Sequence, residues 1–146
     1  MLIGVTFALI DLSGITIMET GGMKGRRKEI TRQELHDLLT TAFQVDAIYS
    51  EYGMTELLSQ AYTNGQQRFY PASTMKVLTR EVNDPIHILP NQRNGALNII
   101  DLANRDSCSF IATQDLGKCY TDGSFEVLGR MDNSDLRGCN LMVYDG

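Results

Sequence analysis

Nothing in this sequence stays apolar for long enough to cross a bilayer. The opening run, residues 2–12, is broken by Gly4, Thr6 and Asp11 and falls well short of the roughly 20 residues a spanning helix needs. It also lacks the basic start and small-residue cleavage site of a secretory leader. Positive charge is not in surplus: the net charge is -5, which argues against a broad nucleic-acid surface. Cysteine is scarce. Cys108, Cys119 and Cys139 are odd in number and widely spaced, with no C-x-x-C pair, and His36 and His87 lie far from them. That pattern excludes a zinc site built on closely spaced ligand pairs. It fits a reducing compartment, so a cytoplasmic protein is expected. No internal repeat and no low-complexity segment is visible. What remains is 146 residues of ordinary apolar content, a one-domain length that is enough for a real core.

The first half alternates element types. Ile15-Thr16-Ile17-Met18 reads as a short β-branched strand. It runs into Glu19-Thr20-Gly21-Gly22, where two glycines let the backbone approach something closely. The basic run Lys24-Gly25-Arg26-Arg27-Lys28 follows; it reads as a solvated loop, with steering of an anionic ligand as the alternative. Thr31 and Glu34 then form a capping box. Leu35, Leu38, Leu39, Ala42 and Phe43 share one helical face, expected to pack on a sheet. His36 falls on the polar side, with a structural role, and His87 sits in a loop. Ala47-Ile48-Tyr49 is a second strand, leading to the loop Glu51-Tyr52-Gly53-Met54-Thr55-Glu56. The order predicts an α/β segment over residues 1–68, with its loops on the ligand-binding edge of a sheet.

After about Arg68 helical periodicity stops. Met75-Lys76-Val77-Leu78-Thr79, Leu97-Asn98-Ile99-Ile100 and Phe110-Ile111-Ala112-Thr113 read as strands, punctuated by Pro85, Pro90 and Asn94-Gly95. Asp122-Gly123 marks a hairpin turn. Residues 69–146 are therefore expected to be mostly antiparallel β, a small barrel or a sheet packed on the first half.

Three constellations carry chemistry. Tyr52-Gly53-Met54-Thr55-Glu56 offers an aromatic face for a base, a glycine for close approach, a hydroxyl for phosphate and a carboxylate for magnesium, which usually takes one or two protein carboxylates. A strand-to-loop corner with a packed Tyr and a solvated Glu fits the same residues. Thr113-Gln114-Asp115-Leu116-Gly117 places Asp115 at a strand end, able to accept two hydrogen bonds from a ribose diol or to close an Asx-turn. Gly129-Arg130-Met131-Asp132 offers the planar fork of Arg130 to ribose or phosphate oxygens, or to a surface salt bridge.

Taken in order, Tyr-Gly-x-Thr-Glu, Thr-x-Asp-Leu and Gly-Arg-x-Asp resemble the adenylate-forming superfamily of acyl-CoA synthetases, luciferases and peptide-synthetase adenylation domains. The wording of Glu19-Thr20-Gly21-Gly22-Met23-Lys24-Gly25-Arg26, of residues 49–56, of Ile100-Asp101-Leu102-Ala103-Asn104, of Ser107-Cys108-Ser109-Phe110 and of Arg137-Gly138-Cys139 is similar to LuxE-type acyl-protein synthetases, relatives of phenylacetate–CoA ligase. The resemblance implies part of the large domain of such an enzyme, a sheet-plus-helix segment and a small β-barrel-like segment. It implies ATP and Mg2+, and activation of a fatty or aryl carboxylic acid to an acyl-adenylate that a thiol then accepts. By matching positions, Gly21 and Gly22 would line the adenine pocket with Gly53 close by. Tyr52 would stack on adenine, and Thr55 would contact phosphate. Glu56 would hold the metal, and Asp115 the ribose with Arg130 nearby. Asp132 falls at the family's hinge. Cys139 matches the acyl-carrying cysteine, where Arg137 could lower the thiol pKa; the plainer reading is a small buried residue. Cys108 and Cys119 read as core or loop thiols.

Two family features are missing. There is no Ser/Thr/Gly-rich phosphate loop ending in Lys, and no evident lysine near the hinge in Asn133-Ser134-Asp135-Leu136. The expectation is therefore a chain that needs an N-terminal half or a partner chain for turnover. An exposed apolar patch, favouring a partner or a homo-oligomer, should mark where that half packs.

Overall fold

The computed structural model of the chain describes residues 15–20 and 31–131. Gly21, Gly22, the basic run at 24–28, Asp132, Arg137 and Cys139 lie outside the described residues.

The described elements follow the order β1 (Ile17–Thr20), α1 (Arg32–Phe43), β2 (Ile48–Tyr52), β3 (Ala61–Thr63), β4 (Phe69–Pro71), β5 (Met75–Arg80), β6 (Asn94–Asp101), β7 (Phe110–Cys119) and β8 (Phe125–Arg130). They form one eight-stranded sheet in the order β1-β2-β3-β4-β8-β7-β6-β5. Only β1 and β2 pair in parallel, Ile17 opposite Ile48 and Glu19 opposite Ser50; the other pairings are antiparallel. The fold is thus α/β followed by antiparallel β, and the change comes between β2 and β3.

Helix α1 starts where the capping box places it. The Glu34 amide donates to Thr31 Oγ1 at 3.2 Å, and the Thr31 amide donates to Glu34 Oε2 at 2.8 Å. It stops at Gln44, whose φ of 53° leaves the helical region. Its apolar stripe behaves otherwise than expected. Leu38 is 61% exposed, Ala42 is exposed, and Leu35, Leu39 and Phe43 are half-buried. The buried residue of the helix is His36, placed on the polar side by periodicity alone. The reason is chemical. Ser50 from β2 lies beneath the helix and its hydroxyl sits 2.9 Å from His36 Nε2, with Glu19 of β1 at 3.6 Å. A buried imidazole with such partners is satisfied, and the helix rotates to put it there.

The main core belongs to the antiparallel strands. Tyr52, Leu57, Ala61, Phe69, Met75, Val77, Leu97, Ile99, Cys119 and Phe125 form one buried cluster. Residues of strands from β2 through β8 meet in it, so the sheet curls around its own inner face. At its centre Phe69 and Phe125 stack with centroids 5.4 Å apart. The hairpin at Asp122-Gly123 joins β7 to β8 as expected, with Gly123 at φ 83°. Cys119 is a core thiol whose pKa burial pushes up, Thr79 opposing; Cys108 is exposed in a loop. Among the described residues no helix is long and apolar enough to cross a membrane.

Candidate functional site

The site candidates come from two places in the sheet: the end of β2 with the loop after it, and the middle of β7 against the end of β8.

Tyr52 closes β2 and is only 8% exposed. Its ring meets Phe125 edge-on at 5.3 Å and Phe69 at a tilt at 5.8 Å. An aromatic ring this enclosed commits most of its area to the core. What reaches the site is its hydroxyl, which donates to Asp115 Oδ2 at 2.7 Å. Burial, then the charge and hydrogen bond of Asp115, hold the phenol well above the ordinary tyrosine range. Tyr52 therefore stays protonated and remains a donor.

Asp115 lies within β7, not at a strand end and not in an Asx-turn. The ladder breaks here. Ala96 pairs with Leu116 and Asn98 with Ala112, so the three residues Thr113, Gln114 and Asp115 face the single residue Leu97. Such a bulge unpairs backbone groups and re-aims side chains. Several of the freed groups find other partners. Thr113 Oγ1 donates to the Leu97 carbonyl at 2.9 Å and accepts from the Asp115 amide at 3.1 Å. The Gln114 carbonyl accepts from the Met131 amide at 2.8 Å. The Thr113 carbonyl accepts from Arg80 Nη2 at 3.0 Å. Arg80 is itself buried and also donates to Asn98 Oδ1 and the carbonyls of Glu81 and Val82. Nothing in the strand pattern signals this buried cation.

Arg130, exposed at the end of β8, pairs directly opposite Asp115. A second irregularity sets this register: Leu116 faces Gly129 and Gly117 faces Val127, leaving Leu128 as the extra residue. Gly117 is required there, because a Cβ would lie 2.3 Å from the Glu126 carbonyl oxygen. The positive charge of Arg130 opposes the rise in the Tyr52 pKa, which places it in the same electrostatic environment.

Gly53, Met54, Thr55 and Glu56 follow Tyr52; Gly53, Thr55 and Glu56 are exposed. A Cβ at Gly53 would make only ordinary contacts, with Gln60 at 3.4 Å, so packing within the chain does not demand the glycine. Among the described residues the Glu56 carboxylate takes part in no hydrogen bond or ion pair, and no group of three or more metal-ligating side chains occurs. The structure thus brings Tyr52, Asp115 and Arg130 together, and sets Thr55 and Glu56 on the loop that Tyr52 begins.

No protein-family model matches the chain, and neither does any curated protein. Solved structures do. Apo MatB from Rhodopseudomonas palustris is 17% identical over 79% of this chain and 25% of its own, with a TM-score of 0.54. A benzoate CoA ligase from Burkholderia xenovorans LB400 is 18% identical over 89% of this chain and 27% of its own, at 0.53. Unliganded O-succinylbenzoate coenzyme A synthetase (MenE) from Bacillus subtilis is 18% identical over 80% and 28%, at 0.52. The chain spans about a quarter of the length of these proteins. At such identities the likeness is one of fold: this chain has the fold of a segment of the acid–CoA ligases.

Proposed function

We propose that the chain carries part of the site of an ATP-dependent acyl-activating enzyme of the LuxE type. The observation that carries this reading is the Tyr52–Asp115 hydrogen bond with Arg130 opposite Asp115. Tyr52 holds one carboxylate oxygen and leaves Oδ1 to accept from a ribose hydroxyl. Arg130 adds a charged donor for ribose or phosphate oxygens. Thr55 supplies a hydroxyl to phosphate. Gly21, Gly22 and Gly53 supply backbone to the nucleotide.

In the reaction so read, a fatty or aryl carboxylate attacks the α-phosphorus of ATP. The bond to the bridging oxygen breaks, and acyl-adenylate and pyrophosphate form. A thiolate then attacks the acyl carbon and AMP leaves. Cys139 is our candidate for that thiol. Glu56 fits a magnesium ligand, since an exposed, unengaged carboxylate is what a metal completed by phosphates and water needs. Bound there, Mg2+ would neutralise developing phosphate charge. The chain alone has little or no turnover, because losing one preorganised charge-stabilising donor already costs about 10²–10³ in rate and the phosphate loop is absent. An N-terminal half or partner chain would supply it. We place the protein in the cytoplasm, where thiols such as Cys108 stay reduced.

Calorimetric titration with Mg·ATP and AMP, and carboxylate-dependent pyrophosphate exchange with an N-terminal half supplied, test the reading. Asp115→Ala should weaken both nucleotides, and Glu56→Gln should weaken Mg·ATP and slow exchange. Unchanged affinities and exchange in both variants reject it. A second reading, a non-catalytic nucleotide- or partner-binding remnant, draws on the stripe of α1 around Leu38, exposed among the described residues, and on the short span of the chain. Self-association, or capture of an N-terminal half, through that stripe without any exchange activity would favour it.

A further inference from the structure

We propose that Asp101 and Asn104 are positioning residues for Glu56, a clamp that fixes the backbone at that residue and just after it and leaves its side chain open. The inference rests on the reading of Glu56 as a metal ligand.

The loop after β2 has no ladder to hold it. On its C-terminal side Asp101 does so. This residue ends β6 and is fully buried. Its Oδ2 accepts from the amides of Leu58 at 2.8 Å and Ser59 at 2.9 Å. Its Oδ1 accepts from Ser59 Oγ at 2.6 Å and from the Ala103 amide at 3.1 Å. Burial alone would raise this carboxyl; the Ser59 hydroxyl and the three amides outweigh it and hold the group below the usual aspartate range. A buried anion satisfied by four donors is a rigid post.

The Ala103 bond does a second thing: it caps the 3-10 turn Leu102–Asn104 and so sets the place of Asn104. Asn104 Nδ2 donates to the Glu56 carbonyl at 2.6 Å and to the Cys108 carbonyl at 3.1 Å. Its Oδ1 accepts from Ser107 Oγ at 2.6 Å. The amide cannot flip without losing all three bonds. Between the two posts, Leu57 is sunk in the core and its amide donates to the Met54 carbonyl at 3.0 Å. Glu56 is therefore held by its own carbonyl, by its successor's side chain and by the two amides after that. A catalytic or binding group needs its supporting residues locked in this way. Asp101 and Asn104 sit three positions apart in Ile100-Asp101-Leu102-Ala103-Asn104, which gives that stretch of sequence a task.

The test is calorimetry on the full chain, with Mg·ATP and with AMP in magnesium-free buffer. Asn104→Asp turns the donor facing the Glu56 carbonyl into an oxygen. It should weaken Mg·ATP about tenfold and leave AMP within about twofold, since misplacing a group by about 1 Å is costly. Ser107→Ala frees the amide to turn and should act in the same direction by a smaller factor; it decides the matter if Asn104→Asp does not fold. Equal weakening of both nucleotides overturns the clamp as a positioning device. So does an unchanged Mg·ATP affinity in a chain where Glu56→Gln lowers it, and there the proposed function survives. A wild-type chain that binds neither nucleotide overturns the function and this inference together.

Discussion

The parallel unit β1–α1–β2 and the antiparallel curl are built on different principles. In the curl, Phe69, Leu97, Ile99 and Phe125 are buried almost completely and belong to one cluster. In the parallel unit the one buried residue of the helix is His36, held by Ser50 and Glu19, while Leu38 points outward. The curl is closed by hydrophobic burial. The helix has polar contacts at His36 on one side, and among the described residues Leu38 and Ala42 are left exposed on the other.

That contrast can be broken by mutation. The largest effect should come from Phe125→Ala, at about 3–5 kcal/mol of unfolding free energy, read from urea denaturation; a cost below that of any helix variant would mean the curl is not the main core. Next is Asp101→Asn, at about 2–3 kcal/mol, because an amide nitrogen would face backbone donors. The wild-type Asp101 carboxyl titrates lower folded than unfolded. Its contribution is therefore complete above the ordinary aspartate pKa of about 3.9 and is lost as pH falls through the lower folded value. Thermal scans from neutral to acid pH should show that loss in the wild type and less of it in Asp101→Asn. Thr31→Ala removes the helix cap and should cost about 1 kcal/mol, visible as reduced helical circular dichroism. The smallest effect should be Leu38→Ser, within about 0.5 kcal/mol; a large loss would mean the stripe is covered in solution.

Much of this is legible in the sequence, and the rest escapes it for identifiable reasons. The capping box, the Asp-Gly hairpin and the strand β5 follow from local chemistry; β6 and β7 are found too, but β6 takes in Asn94 and Gly95, read as a loop, and β7 runs on past Thr113 to Cys119. β3 and β4 escape because three residues cannot display a period of two. The side of α1 that turns inward is misjudged because periodicity counts leucines and cannot see Ser50 arriving from β2. Asp115 can be named as a candidate from its neighbours, but the bulge that aims it depends on Leu97, Arg80 and Met131, none of them its neighbours in sequence. The Tyr52 ring is packed, as the strand-to-loop-corner alternative has it. Its partner 63 residues away cannot be read from local pattern.

That same bond has a dynamic consequence. Tyr52 closes the last strand of the parallel unit and Asp115 sits in the middle of the curl, so their contact is a rivet between the two. A molecule that engages the other oxygen of Asp115 orders that side chain at the rivet, and slowed amide hydrogen exchange should then spread from β7 into β2, far beyond the atoms it touches.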